Sequence, residues 1–568
     1  MKKIRLLSLV LALVLAVGCA KAPEATNDNS AAQSGTYTAT AGGYGGEMTV
    51  EVDVKDDQIT DIRMTDHHES SPVIKRAFPV IKDRILEAQS PVVDNVSGAT
   101  FSSYAVKKAV ADAMKEAGKD FGEITMATQG PAVEKKEMET VETQLVIVGG
   151  GSAGLSAAIE AKENGIEDII LVEKLDILSG NGKFDMNFFD IVNTEAQKAN
   201  GIEDSAEKFF EDKKKSAWDS EERIKVWSEG AAEADSWLRA MGIELNYNYS
   251  GRSHMAEADA YAGEAIQDKL EEKVNELGVD VRTGTKGVDL IIEDGKATGV
   301  KVECKEGTYD IKADAVIVAT GGFSYNKELL AKYVPGAEKV ATSNQMGATG
   351  DFVSIFEKHN IALDHMDKLS IFKTIISGRR DLTGAGNGFI FVNKNGERFT
   401  DETKGGMDTA NAILAQDGGA YYIYDQKLYD SAYRLKKHND LGYHEKADTL
   451  DELAEKLGIN AENLKKSVED FNKAIDGEME DPFRKDKFEE NMKFNTEGPF
   501  YGVKVESAIH MTKGGVVANE KAQVMDNDGK VVDGLYAAGE VTDTSGAYSA
   551  SVVFGRISGE QAANYIKK

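Results

Sequence analysis

Apolar residues in this chain follow several periods, and each period predicts a different kind of element. From Leu6 to Val17 they are unbroken, behind Lys2, Lys3 and Arg5 and ahead of Gly18-Cys19. That run is too short to span a bilayer and, with its basic flank, predicts a signal peptide over residues 1–18. Residues 19–35 are rich in Ala, Asn and Ser without apolar periodicity, as in a tether. Tyr37, Met48, Val50, Val52, Val54, Ile59 and Ile62 then alternate around turns at Gly42-Gly43 and Asp56-Asp57, which predicts a small antiparallel sheet. Pro72 to Leu86 and Tyr104 to Ala117 carry helical spacing. Residues 119–142, rich in Lys and Glu and containing Pro131, read as a linker.

Beyond the linker the pattern changes to short buried runs. Leu145 to Val148 reads as a parallel strand and runs directly into Gly149, Gly151 and Gly154 in the spacing GxGxxG. Ser152, Ala153 and the small residues that follow let a helix begin close to the strand and aim its first N–H groups at a pyrophosphate. Ile169 to Val172 is a second strand, ending at Glu173, where a carboxylate can accept from a ribose hydroxyl. Strand, glycines, helix, strand and acid fall in order, so this stretch predicts a dinucleotide site. Ser179-Gly180-Asn181-Gly182 follows, then two polar amphipathic helices around residues 204–241. A β-rich section ends in Ala319-Thr320-Gly321-Gly322, either a second backbone turn against the same ligand or only a strand-to-loop corner. Gly347 to Asp351, Gly534 to Val541 with Glu540, and Ser551 to Arg556 bring the chain back to one sheet. The fold class is α/β and α+β.

Composition narrows the partners. The chain has 568 residues with 67 Lys and Arg against 96 Asp and Glu, a net charge of −29, which argues against nucleic acid. Cys19, directly after Ala-Val-Gly, resembles the lipobox of bacterial lipoproteins, so a lipid anchor at Cys19 and an extracytoplasmic, membrane-tethered location are expected. Only Cys304 then remains, which leaves no intrachain disulfide, Fe–S cluster or CxxCH haem site. His67-His68 are adjacent on a strand and point to opposite faces, so no metal site is expected.

The loop Val93 to Ser103, VDNVSGATFSS, resembles the signature of FMN-binding domains in which a flavin transferase links FMN phosphate to a threonine, here Thr100. Gly98 and Ala99 would expose its hydroxyl, and the helix start can offer N–H groups to phosphate. Ser102 and Ser103 have the alternative reading of helix caps.

Taken together, the glycine motif, ATGG, the Gly388 to Glu402 segment GFIFVNKNGERFTDE, Ala412 to Gln416 and the C-terminal segments resemble the flavoprotein family of fumarate and urocanate reductases. The resemblance implies a Rossmann-like FAD domain in two parts, 143–363 and 512–568, interrupted by a mobile capping domain at 364–511, behind an FMN-binding domain at 36–118. It implies noncovalent FAD held by Gly149, Gly151, Ser152, Ala153, Gly154, Glu173, Asn181, Gly182, Thr320, Gly321, Asp351, Glu540, Ala547 and Tyr548.

The family's substrate residues are largely missing. The proton-donor arginine falls on Gly406, with Lys404 the nearest cation. A carboxylate-binding arginine falls on Ala385, with Arg379 and Arg380 upstream. Two histidines fall on Phe372 and Met511, the latter preceded by His510, and the loop after Val541 is short where another arginine would stand. Lys404, His510, Lys513 and Tyr548 are the candidate acids, and Arg380 a candidate carboxylate ligand. Several readings stay open: a reductase of an enoate or enone fed from an extracytoplasmic or membrane donor in anaerobic respiration, a fumarate or urocanate reductase proper, the reverse dehydrogenation, and a flavin electron carrier.

Overall fold

The computed structural model describes residues 31–178, 180–183, 188–257, 262–484 and 488–568. The signal peptide, Cys19, most of the tether and Ser179 lie outside the described residues. The chain divides into two compact units, Met1–Ala132 and Val133–Lys568.

In the first unit, strands Gly35–Gly42, Glu47–Lys55 and Gln58–His67 form an antiparallel meander. Met48, Val50, Val52 and Ile62 are wholly buried on one face, as alternation demands. Helices Ser71–Ala88 and Thr100–Glu116 supply the apolar residues that cover that face.

The stretch read as a linker is mostly structured. Lys107 Nζ donates to Thr128 O at 2.6 Å, Asn95 Nδ2 to Met126 O at 3.0 Å, and Gly130 N–H to Asp94 Oδ1 at 2.9 Å, so residues up to 130 belong to the first unit. Lys136–Glu137 then pairs in parallel with Gly307–Thr308, inside the second unit. Side-chain bonds to backbone and a two-residue ladder hold this segment, and neither leaves an apolar period in sequence.

The second unit is built on a nine-stranded sheet. Its parallel core runs Asp280–Arg282, Ile169–Val172, Val141–Val148, Gly307–Val318 and Val531–Ala537. The central strands read as continuous Val, Leu and Ile because both faces are covered. On one face, helix Ser152–Glu163 lies against the C-terminal helix Tyr548–Ile566. Their backbones approach so closely that a Cβ at Gly555 or Gly559 would stand 2.4 Å from Ala153 O or 2.3 Å from Ala157 O. The polar stretch around 204–241 forms helices Ala206–Lys213 and Glu221–Ala240.

The cap is a six-stranded sheet around Phe500–Thr512, which pairs with Ala420–Asp425, Leu369–Ile376 and Glu445–Ala447; Phe389–Asn393 pairs beyond Ala420–Asp425. Ala341–Thr342 joins its edge, so the cap sheet recruits residues ahead of 364. The GERFTDE segment is stapled by Arg398, which pairs with Glu402 at 2.9 Å and Asp481 at 2.6 Å, all three nearly buried. Cap and FAD domain are joined by two chain passages that zip together: Leu363–Asp364 is antiparallel to Gly515–Val516, and Lys513 N–H donates to Lys368 O at 2.9 Å.

Candidate functional site

Where the strand ends, Gly149 takes φ +115°, and a Cβ there would lie 2.3 Å from Ala319 O. Only glycine permits this crossing of two strand ends. One turn on, a Cβ at Gly154 would meet Gly149 O at 2.0 Å, so Gly154 packs beneath the turn and does not face the ligand space. Above the turn a cavity of about 410 Å³ opens. It is lined by Gly149, Gly151, Ser152, Ala153, Glu173, Asn181, Gly182, Thr320, Gly321, Asp351, Glu540, Ala547 and Tyr548. Every residue expected to hold FAD, Gly154 excepted, therefore lies around one space.

The cavity's chemistry suits a dinucleotide. Glu173 is buried, its carboxylate accepting from Gly150 N–H and Leu175 N–H at 2.9 Å each, and burial raises its pKa. Thr320 Oγ1 is buried without a hydrogen-bond partner among the described residues, and the Tyr548 hydroxyl, against Ser152, has no well-aligned partner either. Such orphans are rare in finished cores and are expected of a cradle shaped for a polar ligand. Gly180 and Gly182 leave the same space open: a Cβ at Gly180 would meet Gly151 Cα at 2.8 Å, and one at Gly182 the Ser152 Oγ at 2.2 Å. These residues fit FAD. Asp351 lines the cavity as expected, but Lys174 (2.6 Å) and Lys286 (2.8 Å) already engage its carboxylate.

Facing these backbone walls are side chains from the cap, from the passage joining it to the FAD domain and from the two polar helices: Ser370, His510, Met511, Lys513, Lys213 and Trp227. His510 and Met511 are consecutive, yet both reach the cavity. A bulge makes this possible, since Ser370 pairs with Met511 and Ile371 with Ile509, leaving His510 without an opposite number. His510 Nδ1 lies 3.0 Å from Ser343 Oγ; burial and the charges of Arg434 and Lys513 push its pKa down to about 4, so it is neutral near pH 7. Lys513 Nζ donates to Ser545 O at 2.8 Å, and burial with the charge of Lys213 lowers its pKa. Glu540 accepts from Thr512 N–H at 2.9 Å and from its hydroxyl at 3.1 Å; burial pushes Glu540 up to about 7.

Two sequence candidates stand elsewhere. Lys404 is exposed on the loop before helix Gly406–Leu414 and does not line the cavity. Lys373, on cap strand Leu369–Ile376, donates to Glu402 O at 2.8 Å and Thr403 O at 3.2 Å. Arg380 does not line the cavity either; its Nη1 donates to Asn344 O at 3.2 Å, beside Gln345, which does. Phe372, expected in the pocket, lies behind His510 with ring centroids 6.0 Å apart. Sequence reasoning missed Lys213, Trp227 and Ser370, which come from elements with no glycine signature.

In the first unit Thr100 is the first residue of its helix and half-exposed, preceded by Gly98 at φ +93°. Ser102 and Ser103 are not caps. They sit in the helix's first turn, where Ser102 donates to Glu69, and Ser103 Oγ donates to Ala99 O at 2.7 Å while accepting from Val96 N–H at 3.0 Å. Lys107 Nζ ties down Val93 O at 2.9 Å; burial pushes its pKa down to about 8. The loop is held from behind while Thr100 is left reachable.

Comparison with known proteins agrees with these two sites. Residues 144–551 match the FAD binding domain family and residues 43–115 the FMN-binding domain family. A urocanate reductase of Eggerthella lenta is 33% identical, covering 96% of this chain and 95% of that protein. A probable fumarate reductase of Shewanella frigidimarina is 34% identical over 74% of this chain and 75% of its own. The open conformation of a flavocytochrome c3 fumarate reductase superposes with TM-score 0.69 at 33% identity, covering 75% of this chain and 79% of that one. The chain thus belongs to the FAD-binding family of fumarate and urocanate reductases, as a FAD-dependent oxidoreductase acting on CH–CH groups that carries an FMN-binding domain.

Proposed function

We propose that this protein is a lipid-anchored, extracytoplasmic reductase that passes electrons from FMN, bound covalently at Thr100, to FAD and on to the activated C=C bond of an enoate or enone. The observation that carries the reading is the composition of the cavity wall: backbone and small residues suited to a flavin on one side, Lys513, His510 and Met511 on the other. When bound and reduced, FAD supplies a hydride to one alkene carbon. The chain must supply the proton for the other, and Lys513 is the group best poised to do so. Its lowered pKa brings it nearer to working pH, whereas His510 is neutral there and burial makes the Tyr548 phenol a weaker acid than usual. His510 orients the acceptor by hydrogen bonding. The cap excludes water from the hydride path. The lipobox-like segment at Cys19, the signal run before it and the reachable Thr100 support the location and the covalent FMN, with a flavin transferase as the partner and anaerobic respiration as the setting.

The test is anaerobic reduction of the full protein with viologen followed by mixing with enoates, enones and fumarate, reading the return of oxidised flavin absorbance. A monocarboxylic enoate or an enone should reoxidise the flavins. Fumarate should be roughly a hundredfold slower or worse, because two lost arginine–carboxylate pairs forfeit about 1.5–3 kcal/mol each. Fast fumarate turnover would overturn the altered pocket, and reoxidation by none of these acceptors would leave an electron carrier.

A further inference from the structure

One cation beside the cavity has no role in the scheme above. Arg434 lies in cap helix Tyr433–Asp440, with its guanidinium over the Phe372 ring, 5.5 Å from the centroid. Its Nε is buried without a partner, and the guanidinium neither donates to nor pairs with any described residue. Other semi-buried arginines of the second unit are different: Arg398 pairs with Glu402 and Asp481, Arg252 with Asp204, Arg556 with Glu160. A buried guanidinium nitrogen with no partner is costly, and the two outer nitrogens of the fork are left open to an acceptor.

The surroundings of Arg434 say where that acceptor would come from. Phe372 carries Arg434 against it and tilts against His510, which lines the cavity, and the charge of Arg434 reaches that histidine, so the guanidinium stands on the cap side next to the cavity lining. Tyr422, whose hydroxyl takes the Ala385 N–H at 3.2 Å and donates to Ala385 O at 3.0 Å, is a second group that feels the charge of Arg434. Ala385 is the position at which the family resemblance calls for a carboxylate-binding arginine. Arg434 brings a cation towards the same Tyr422 from a different element. His510 is neutral and Lys373 is engaged by two backbone carbonyls, so neither competes with Arg434 as an anchor at this place. A planar guanidinium held against a ring fits one carboxylate in bidentate fashion.

We propose that Arg434 is a specificity-determining residue that anchors the one carboxylate of an unsaturated monocarboxylic acid, with Phe372 holding the guanidinium in place. This rests on the reductase reading and narrows it from enoate or enone to enoate.

The experiment separates binding from turnover. FAD-loaded protein is titrated with 3-phenylpropanoate, a saturated acid that cannot be reduced, and with its neutral amide, following the flavin absorbance change. Wild type should bind the acid at least tenfold more tightly than the amide. R434M should weaken acid binding at least tenfold and leave amide binding within about twofold, while R434K recovers part of the difference. FAD content and circular dichroism confirm that the variants fold. Equal loss for acid and amide would assign Arg434 a purely structural role, and an unchanged R434M or a wild type indifferent to the carboxylate would overturn the proposal. Each of these outcomes is read without turnover, so failure of the reductase assay and failure of the anchor remain distinct. A wild type that reduces enones but binds no acid would sink the anchor and keep the reductase.

Discussion

The two walls of the cavity obey different rules. The FAD-domain wall is made of backbone: Gly149, Gly151, Gly180 and Gly182 face the ligand space with nothing beyond Cα, and a Cβ at Gly149 or Gly180 would meet backbone atoms that cannot yield. The opposite wall is made of side chains, from a bulged cap strand, an inter-domain passage and two polar helices. A backbone wall fixes what is bound and tolerates no substitution. A side-chain wall can exchange its residues while the fold stands.

The sharpest way to break that comparison is at Gly149. G149V should abolish FAD binding outright, since its Cβ would stand 2.3 Å from Ala319 O in a left-handed backbone that valine rarely adopts. FMN on the first unit should stay. Thr100→Val is the mirror experiment: mass spectrometry of protein made with a flavin transferase should lose the FMN adduct and retain FAD. If either variant removes both flavins, the two units do not bind their cofactors independently.

On the side-chain wall the expected effect is on rate. K513M should lower kcat by roughly 10²–10⁴-fold, the range for losing a general acid, with FAD content unchanged. In wild type, activity should fall as pH rises through the lowered pKa of Lys513, because only the protonated amine can deliver a proton, and K513M should lack that alkaline limb. A variant retaining both rate and limb would move the proton donor elsewhere.

This contrast also explains what could be read in advance. Strand, GxGxxG, helix, strand and Glu173 are local in sequence, so period and spacing suffice, and the same holds for the alternation at Met48 to Val54. His510 reaches the cavity together with Met511 only because the opposing strand skips a residue, and a pairing register is not written in either strand alone. Arg434 lies in a helix whose sequence, YRLKKHND, shows several equivalent cations, and only the Phe372 ring singles one out. Lys404 is adjacent in sequence to the expected donor position, but the loop turns it to solvent. Residues 119–130 read as a linker because their anchors are hydrogen bonds to Lys107, Asn95 and Asp94 and a single buried apolar residue, Ile124, which make no apolar period.

The smallest expected effect concerns the cap's own stability. His438 and His444 are buried and neutral: Thr383 Oγ1 lies 3.1 Å from His438 Nδ1 and 3.0 Å from His444 Nε2, while Tyr424 OH sits 2.7 Å from His444 Nδ1. Burial pushes His438 down to about 2, with the charges of Arg434, Lys437 and Arg379 adding to it, and His444 down to about 3. Above pH about 6.5 both rings are neutral folded and unfolded, so their linkage contribution is constant. Below it the unfolded chain takes up protons that the folded cap refuses, and stability falls with pH until the folded values are reached. At pH 5.5 the loss approaches about 1.4 kcal/mol per ring, about 3 kcal/mol for the pair. Thermal unfolding of wild type should therefore drop by a few degrees between pH 7 and 5.5, and H438N/H444N should flatten that slope even if its midpoint at pH 7 is lower. An acid slope untouched by the double substitution would place the sensitivity in the carboxylates instead, and the cap wall would then owe nothing of its acid lability to this histidine pair.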